Sequence, residues 1–386
     1  MNELAAAPLD VLRSRTSEKW REYPDDVIPM FVAESDFPLA EPIAAALHAA
    51  VDRGDTGYVA SQTELPRVFA AFAERHWGWS LDSVHVQTTA DVSMGIVEIL
   101  RRIDVGTGLV ITPPVYPPFY QLADEAGVPV VQVPVSDDGV LDLGGIEAAF
   151  AGGARAVMLC NPHNPLGHPH DRASLSALAE LADRFGATVV SDEIHAPLTH
   201  GDARFTPWLS VSEASRRVGF ALQSASKAWN IAGLKCAMMI ADHPDRIAFL
   251  RALPDEVSWR TGQFGVIASI AAYGECDDWL ARALLTIERN RRTLVRRLGT
   301  ELPSVGIVEP RAGYLAWVDL RSVGWGDDPA SVILERARVA LRPGLGFGPG
   351  GEGRVRVNLG CDPALLEEAL DRIVAAVRAD GADSTP

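Results

Sequence analysis

The segment SASKAWNIAGLK at residues 224–235 combines hydroxyl and amine groups at a spacing that suits a phosphorylated aldehyde. Lys227 follows two serines, Ser224 and Ser226, and a second amine, Lys235, lies eight residues further on. Hydroxyls and an ammonium can bind a phosphate, while the Lys227 amine can form a Schiff base, which a guanidinium cannot. Only three of the 35 Lys and Arg residues are lysines, so either coding bias or a need for primary amines explains where the lysines stand.

Two further polar residues follow strand-like segments upstream. Asp192 ends the apolar run in VVSDEIHAP, and Asn164 lies in the tight turn CNPHNPLG. A carboxylate can pair with the protonated ring nitrogen of a heteroaromatic cofactor, and an amide is a neutral hydrogen-bond donor. Helix capping, ion pairing and solvation are the structural alternatives for Asp192, Lys235 and the two serines.

Several histidines raise the question of a bound metal. The stretch HNPLGHPH occupies a turn, and no second group of ligands stands at the spacing of a metal site, so we expect no metal. The histidines concerned are His163, His168, His170, His195 and His200.

Seven stretches, in one order along nearly the whole chain, resemble a single enzyme family. They are MFVAESDF (30–37), DTGYVA (55–60), PPVYPPF (113–119), CNPHNPLG (160–167), SDEIHAPL (191–198), SASKAWNIAGLKC (224–236) and VRVNLG (355–360). On these stretches the sequence resembles the fold-type I pyridoxal-phosphate enzymes of the class I/II aminotransferase group, and within it the MalY/PatB-type cystathionine β-lyases. The resemblance implies pyridoxal 5′-phosphate as cofactor, a small amino-acid substrate and a homodimer with shared active sites.

The resemblance also implies which side chains hold the ring of the cofactor. Lys227 resembles the Schiff-base lysine, and Asp192 resembles the partner of the pyridine nitrogen. Asn164 resembles the donor to the phenolic oxygen, and Tyr116 the aromatic residue that stacks on the ring. His195 completes the predicted catalytic set, because DEIH is typical of the β-lyase branch, where ordinary aminotransferases tend to have tyrosine.

The phosphate of the cofactor is expected at a helix N-terminus. Ser224, Ser226 and Lys235 resemble the phosphate site, helped by backbone amides near Asp91 and Val92, since exposed N–H groups at a helix start attract anions. A carboxylate beside a phosphate is unfavourable, so we expect Asp91 to cap this helix through its side chain and to contribute only its amide.

The substrate and the second subunit involve another set of residues. Arg356 matches the arginine that grips the α-carboxylate of the substrate, a role that suits a planar two-pronged donor. Arg354 lies on the same strand face by the two-residue period and is a rival for that role. Asp36 is a second predicted substrate-binding residue. Tyr58 is similar to the tyrosine that reaches the phosphate bound by the neighbouring subunit.

The resemblance implies α,β-elimination, which cleaves cystathionine or a related cysteine S-conjugate to a thiol, pyruvate and ammonia. Transamination begins with the same removal of the α-proton, so a class I/II aminotransferase is the alternative. A second alternative is a regulatory protein that binds pyridoxal phosphate and acts through a protein partner.

Short apolar runs alternate with amphipathic helical patterns between residues 84 and 280. This alternation predicts an α/β fold with a mainly parallel sheet and helices on both faces. The resemblance implies the fold-type I transferase fold, with a large cofactor-binding domain at 40–285 and a smaller α/β domain at 1–39 and 286–386. The predicted strands of the large domain are 84–88, 108–112, 156–160, 187–191, 218–222 and 236–240.

Three segments outside these strands carry specific predictions. Residues 174–186 have the apolar spacing of one helix face and end at Gly186, a candidate C-cap. Residues 330–341 are predicted to be helical, and the glycine-rich stretch 342–353 is predicted to be a loop.

Composition restricts the possible partners and surroundings. The formal net charge is −16 and the sequence pI is near 5.0, which argues against binding to nucleic acid. No apolar run reaches the roughly 20 residues of a membrane helix, and the charged N-terminal segment does not resemble a secretory signal. The four cysteines are widely spaced, so we expect a reduced, cytoplasmic protein.

Overall fold

The computed structural model describes residues 2–60 and 64–383. The strands are β1 Ile28–Pro29, β2 Val86–Thr89, β3 Leu109–Ile111, β4 Val130–Gln132, β5 Ala156–Cys160, β6 Thr188–Asp192, β7 Gly219–Gln223, β8 Ala237–Ile240, β9 Gly306–Val308, β10 Leu315–Asp319, β11 Val339–Ala340, β12 Arg342–Pro343 and β13 Arg354–Asn358. The helices are α1 Leu9–Ser14, α2 Glu18–Arg21, α3 Glu41–Asp52, α4 Glu64–Trp77, α5 Val92–Leu100, α6 Pro118–Ala126, α7 Leu143–Ala151, α8 Arg172–Phe185, α9 Glu213–Val218, α10 Pro244–Arg251, α11 Asp255–Trp259, α12 Gln263–Glu275, α13 Asp277–Glu301, α14 Pro329–Ala337 and α15 Pro363–Asp383.

The chain divides into two compact units. The larger unit contains residues 39–163 and 169–280, and the smaller unit contains residues 1–38, 164–168 and 281–386. The short segment 164–168 therefore groups with the smaller unit, although its neighbours in sequence belong to the larger one. The domain boundaries predicted above remain a prediction.

A seven-stranded sheet forms the centre of the larger unit. Its strand order is β2-β8-β7-β6-β5-β3-β4, and every neighbouring pair is parallel except the two pairs that involve β8. The predicted mainly parallel sheet is confirmed. The reversed direction of β8 and the strand β4 were not predicted.

Helices cover both faces of this sheet. Met158 of β5 and Phe220 of β7 pack with α5 in one apolar cluster. Their neighbours on the same strands, Val157 and Ala221, are also buried. On the strands, successive side chains point to opposite faces, so both faces lie in the core. Helix α8 contacts β6, and α9 contacts β6 and β7.

The smaller unit has an antiparallel sheet of order β12-β13-β10-β9 and a separate parallel pair, β1 and β11. The prediction that residues 330–341 form one helix was wrong at its C-terminal end. Helix α14 ends at Ala337, Arg338 adopts a left-handed φ of 53°, and residues 339–340 pair with β1 instead. Pairing with a distant segment thus overrides the local helical pattern.

Candidate active site

Asp192 and Lys227 follow adjacent parallel strands of the larger unit. Asp192 is the last residue of β6, and Lys227 lies four residues beyond the end of β7, the strand that pairs with β6. Asp192 is buried and accepts a hydrogen bond from the Ile194 amide at 3.1 Å. The carboxyl ends of parallel strands at a sheet centre are a common place for ligands, and these two residues lie there.

Burial sets the protonation of Asp192. Loss of hydration raises the pKa of this carboxyl to about 6, whereas the hydrogen bond from Ile194 and the positive charge of Lys227 lower it. A cationic partner would therefore stabilise the ionised form of Asp192, in place of the water that stabilises a carboxylate at the surface.

The segment after β7 is folded tightly onto itself. The Ser224 and Ser226 hydroxyls are 2.7 Å apart, and the Ser224 hydroxyl donates to the carbonyl of Cys236 at 2.7 Å. Asn230 and Lys235 adopt left-handed φ angles of 56° and 58°. Non-glycine residues rarely adopt this conformation, and such positions are concentrated at functional sites.

Lys235 connects this segment to the start of α5. The Asp91 side chain accepts a hydrogen bond from the Met94 amide at 2.8 Å, which makes it the N-cap of α5, as predicted. Its other carboxylate oxygen lies 2.9 Å from the Lys235 amine. Val92 is the buried first residue of the helix.

These groups have the chemistry that a phosphorylated heteroaromatic aldehyde requires. Two serine hydroxyls, the ammonium of Lys235 and the N-terminus of α5 are suited to a phosphate. The carboxylate of Asp192 is suited to a protonated ring nitrogen, and the amine of Lys227 is suited to an aldehyde. The residues of the larger unit therefore fit the group that the sequence predicted.

Three other predicted residues occupy different surroundings in the larger unit. Tyr116 is half-buried and packs edge-on against Phe119, with ring centroids 6.0 Å apart. His195 is buried and begins a short helical turn at 196–198. Tyr58 is 94% exposed, which leaves its ring accessible to another molecule.

Arg356 and Asn164 meet in the smaller unit. Arg356 is buried on β13, where Nη1 donates to Oδ1 of Asn164 at 3.2 Å and Nη2 donates to the Phe31 carbonyl at 3.1 Å. The rival residue, Arg354, pairs with the Asp319 carboxylate at 3.3 Å. Arg354 is therefore already engaged with a carboxylate of its own unit.

Asp36 forms a buried ion pair in the smaller unit. Its carboxylate lies 2.9 Å from the Lys19 amine, with both side chains fully buried, and accepts a hydrogen bond from the Trp20 indole at 3.0 Å. These contacts give Asp36 a structural role, and its predicted contact with substrate remains a prediction. Of the three lysines, Lys19 is thus explained by its pairing with a buried carboxylate.

Glu193 is a buried carboxyl next to the candidate site that the sequence analysis missed. It is completely buried next to Asp192 and accepts hydrogen bonds from the Trp208 amide at 2.7 Å, the Gln223 side chain at 2.9 Å and the Ser191 hydroxyl at 3.1 Å. These bonds connect the carboxyl ends of β6 and β7. The only signal in the sequence is a second acidic residue directly after a strand.

The described residues also bear on metal binding and membrane insertion. Among residues 2–60 and 64–383, no group of three or more His, Cys, Asp or Glu side chains is arranged to hold a metal ion. Every helix within the same ranges is too short or too polar to span a membrane.

Comparison with known proteins places the chain in a family. The family model for aminotransferase class I and II matches residues 26–373. A Mycobacterium leprae protein, provisionally named a cystathionine beta-lyase, is 43% identical and the alignment covers 97% of this chain and 98% of that protein. Cystathionine beta-lyase PatB of Bacillus subtilis is 33% identical, with 91% of this chain and 93% of PatB covered.

A solved structure agrees with these sequence relatives. A protein of Corynebacterium diphtheriae, provisionally described as a PLP-dependent beta-cystathionase, superimposes with a TM-score of 0.93 at 32% identity and covers 97% of this chain and 99% of that one. The predicted fold-type I fold and the resemblance to cystathionine β-lyases are confirmed. The chain belongs to the class I and II aminotransferase family.

Proposed function

We propose that this protein is a pyridoxal-phosphate-dependent carbon–sulfur β-lyase, which cleaves cystathionine or a related cysteine S-conjugate to a thiol, pyruvate and ammonia. The observation that carries the proposal is the buried carboxylate of Asp192 beside Lys227 at the ends of β6 and β7. Relatives that cover nearly the whole chain and are named cystathionine beta-lyase favour elimination over the other reactions of the family.

Five residues of the larger unit would hold the cofactor. Asp192 would pair with its ring nitrogen, since opposite charges favour each other's charged forms. Ser224, Ser226 and Lys235 would bind its phosphate, and Tyr116 would stack on its ring. Pyridoxal phosphate, when bound, withdraws electrons from the α-carbon of an amino acid and so makes the α-proton acidic.

Lys227 would serve as the base. Its amine takes the α-proton of the substrate, after which the bond between the β-carbon and sulfur breaks and the sulfur leaves with the electron pair as a thiolate. Water then completes the conversion of the remaining three-carbon unit to pyruvate and ammonia. In this proposal His195 lies among the catalytic residues that distinguish elimination from transamination.

Arg356 and Asn164 would act from the smaller unit. Arg356 would bind the α-carboxylate of the substrate through a charge-assisted pair of hydrogen bonds. Because Oδ1 of Asn164 accepts from Arg356, the Asn164 amide donates through Nδ2, which suits a donor to the cofactor's phenolic oxygen.

We also propose a cytoplasmic homodimer. The 94% exposure of Tyr58 is what a tyrosine that reaches a neighbouring subunit requires. The four cysteines, all within the described residues, form no disulfide, in keeping with a reducing compartment. Sedimentation of the purified protein at the mass of one chain would contradict the dimer.

Release of pyruvate from cystathionine without a keto-acid acceptor tests the proposed function. We expect pyruvate in proportion to free thiol from the wild type with added cofactor, and none from Lys227→Ala. Strict dependence on a keto-acid acceptor would instead make the protein an aminotransferase, the alternative that shares its family and its first proton transfer.

A further inference from the structure

The glycine-rich segment 342–353 has no part in the function proposed above, yet it is folded closely upon itself. After β12 it makes a short helical turn at Gly344–Phe347 and returns to β13. A Cβ atom on Gly344 would lie 2.1 Å from the Gly351 carbonyl oxygen, and one on Gly351 would lie 2.0 Å from the Gly344 oxygen. Only glycine fits at either position, so the sequence of the segment is matched to this one compact conformation.

Arg354 fastens this segment to the sheet. Its guanidinium donates to the Gly350 carbonyl and pairs with Asp319 of β10, while its backbone amide donates to the Gly351 carbonyl at 3.3 Å. The arginine that competed with Arg356 for the role of substrate ligand therefore anchors the segment beside Arg356.

The turn places Phe347 directly against Arg356. Phe347 is completely buried, and the centre of the Arg356 guanidinium lies 5.3 Å from the centroid of its ring. Trp317 packs on Phe347 with ring centroids 5.0 Å apart, and it is the cross-strand partner of Arg356 between β10 and β13. Residues directly opposite each other in an antiparallel pair share a face, so Trp317 and Arg356 both point towards Phe347.

An aromatic face attracts a guanidinium, and the attraction is stronger where water is excluded. The ring of Phe347 restrains the plane of the Arg356 guanidinium, while Asn164 and the Phe31 carbonyl restrain its two terminal nitrogens. A side chain held in one geometry before binding loses less entropy when it binds a ligand.

We propose that the segment 342–353 orients the Arg356 guanidinium to bind the substrate's α-carboxylate, with Phe347 as the positioning residue. The proposal rests on the proposed function, since it takes Arg356 as the carboxylate ligand. It predicts that removing the ring of Phe347 weakens recognition of a carboxylate and leaves the rest of the site intact.

The test compares L-alanine with L-alaninamide, in which a neutral amide replaces the carboxylate. Binding of each ligand is measured by the change it causes in the visible absorbance of the cofactor-loaded protein. We expect Phe347→Leu to weaken binding of L-alanine on the order of tenfold and to leave L-alaninamide nearly unchanged. Phe347→Tyr, which keeps the ring, should retain most of the affinity for L-alanine. Leu366→Ala, a buried truncation in α15 of the same unit, controls for general loss of stability.

Equal weakening of both ligands by Phe347→Leu, or no weakening of either, would overturn the proposal. If Phe347→Leu does not yield folded protein, Phe347→Met, which also lacks an aromatic face, is compared in the same way with the same two outcomes. Arg356→Ala separates the two levels of the argument: if it leaves the preference for L-alanine over L-alaninamide intact, the carboxylate role of Arg356 in the proposed function has failed. Loss of that preference in Arg356→Ala but not in the Phe347 variants refutes only the positioning role.

Discussion

At the scale of single residues, the titration of the Glu193 carboxyl should be detectable in the pH dependence of stability. The pKa of this carboxyl is raised to about 8, because burial and the nearby Asp192 charge raise it by more than three hydrogen bonds lower it. Between the ordinary pKa of a glutamate and a pKa near 8, the folded state binds more protons than the unfolded state. The contribution of Glu193 to stability is therefore full at low pH and is lost as the pH rises through 8.

Glu193→Gln should remove this dependence. Asp192 also has a raised pKa, of about 6, so the clearest range is pH 7 to 8, where Asp192 is largely ionised. In cofactor-free protein we expect the wild-type free energy of unfolding to fall more steeply than that of Glu193→Gln, by up to about 1.4 kcal/mol per pH unit. Urea unfolding at pH 7 and 8 measures this slope, with the exposed Glu335→Gln as control. Parallel slopes for wild type and Glu193→Gln would show that the Glu193 carboxyl does not titrate in this range.

Residue types alone pointed to Lys227 and Asp192, because a scarce amine and a carboxylate after buried strands are visible in the sequence. They did not reveal the ion pair of Asp36 or the hydrogen bonds of Glu193. Asp36 pairs with a lysine 17 residues earlier, and Glu193 bonds to groups on a neighbouring strand and a distant turn. Such partners are brought together only by the fold.

At the scale of elements, the start of α5 combines a helix cap with an ion pair. Asp91 satisfies the Met94 amide and pairs with Lys235, whereas Asp171 caps α8 through the Ser174 amide at 2.7 Å. Both caps satisfy an amide that has no partner within its helix.

Asp91→Ala and Asp171→Ala should each lower the free energy of unfolding by about 1 kcal/mol. Asp91→Asn should retain most of the cap, since an asparagine oxygen can accept the same hydrogen bond. Urea unfolding of the three variants measures these differences. A loss in Asp91→Asn as large as in Asp91→Ala would show that the ion pair with Lys235, and not the cap, stabilises this region.

Helix α8 was predicted well because its signals are local. It has an apolar face, an acidic N-cap and a left-handed Gly186 at its C-terminus, with φ of 64°. The end of α14 depends on pairing with the distant strand β1, and the direction of β8 is set by antiparallel pairing with both the distant β2 and the preceding β7. No local pattern specifies these pairings. The glycine-rich segment 342–353 was likewise predicted only as a loop, because its contacts with Arg354 and Arg356 cross to another strand.

At the scale of the whole molecule, the net charge of −16 means that the anionic cofactor and the carboxylate substrate of the proposed function would meet a strongly acidic protein. In the proposed function, individual cations would therefore provide the attraction, and both candidates are held by specific contacts, Lys235 by Asp91 and Arg356 by Asn164. Seven family stretches in register made the fold-type I fold predictable from the sequence, since their order constrains the chain from residue 30 to residue 360.

The central claim is that the Lys227 amine binds pyridoxal phosphate opposite the carboxylate of Asp192. The most direct measurement is the absorbance spectrum of purified wild type, Lys227→Ala and Lys235→Ala after addition of the cofactor and removal of the excess. We expect a band near the violet edge of the visible in the wild type and, at higher cofactor concentration, in Lys235→Ala, but not in Lys227→Ala. A wild type that stays colourless, or a Lys227→Ala variant that keeps the band, would contradict the account.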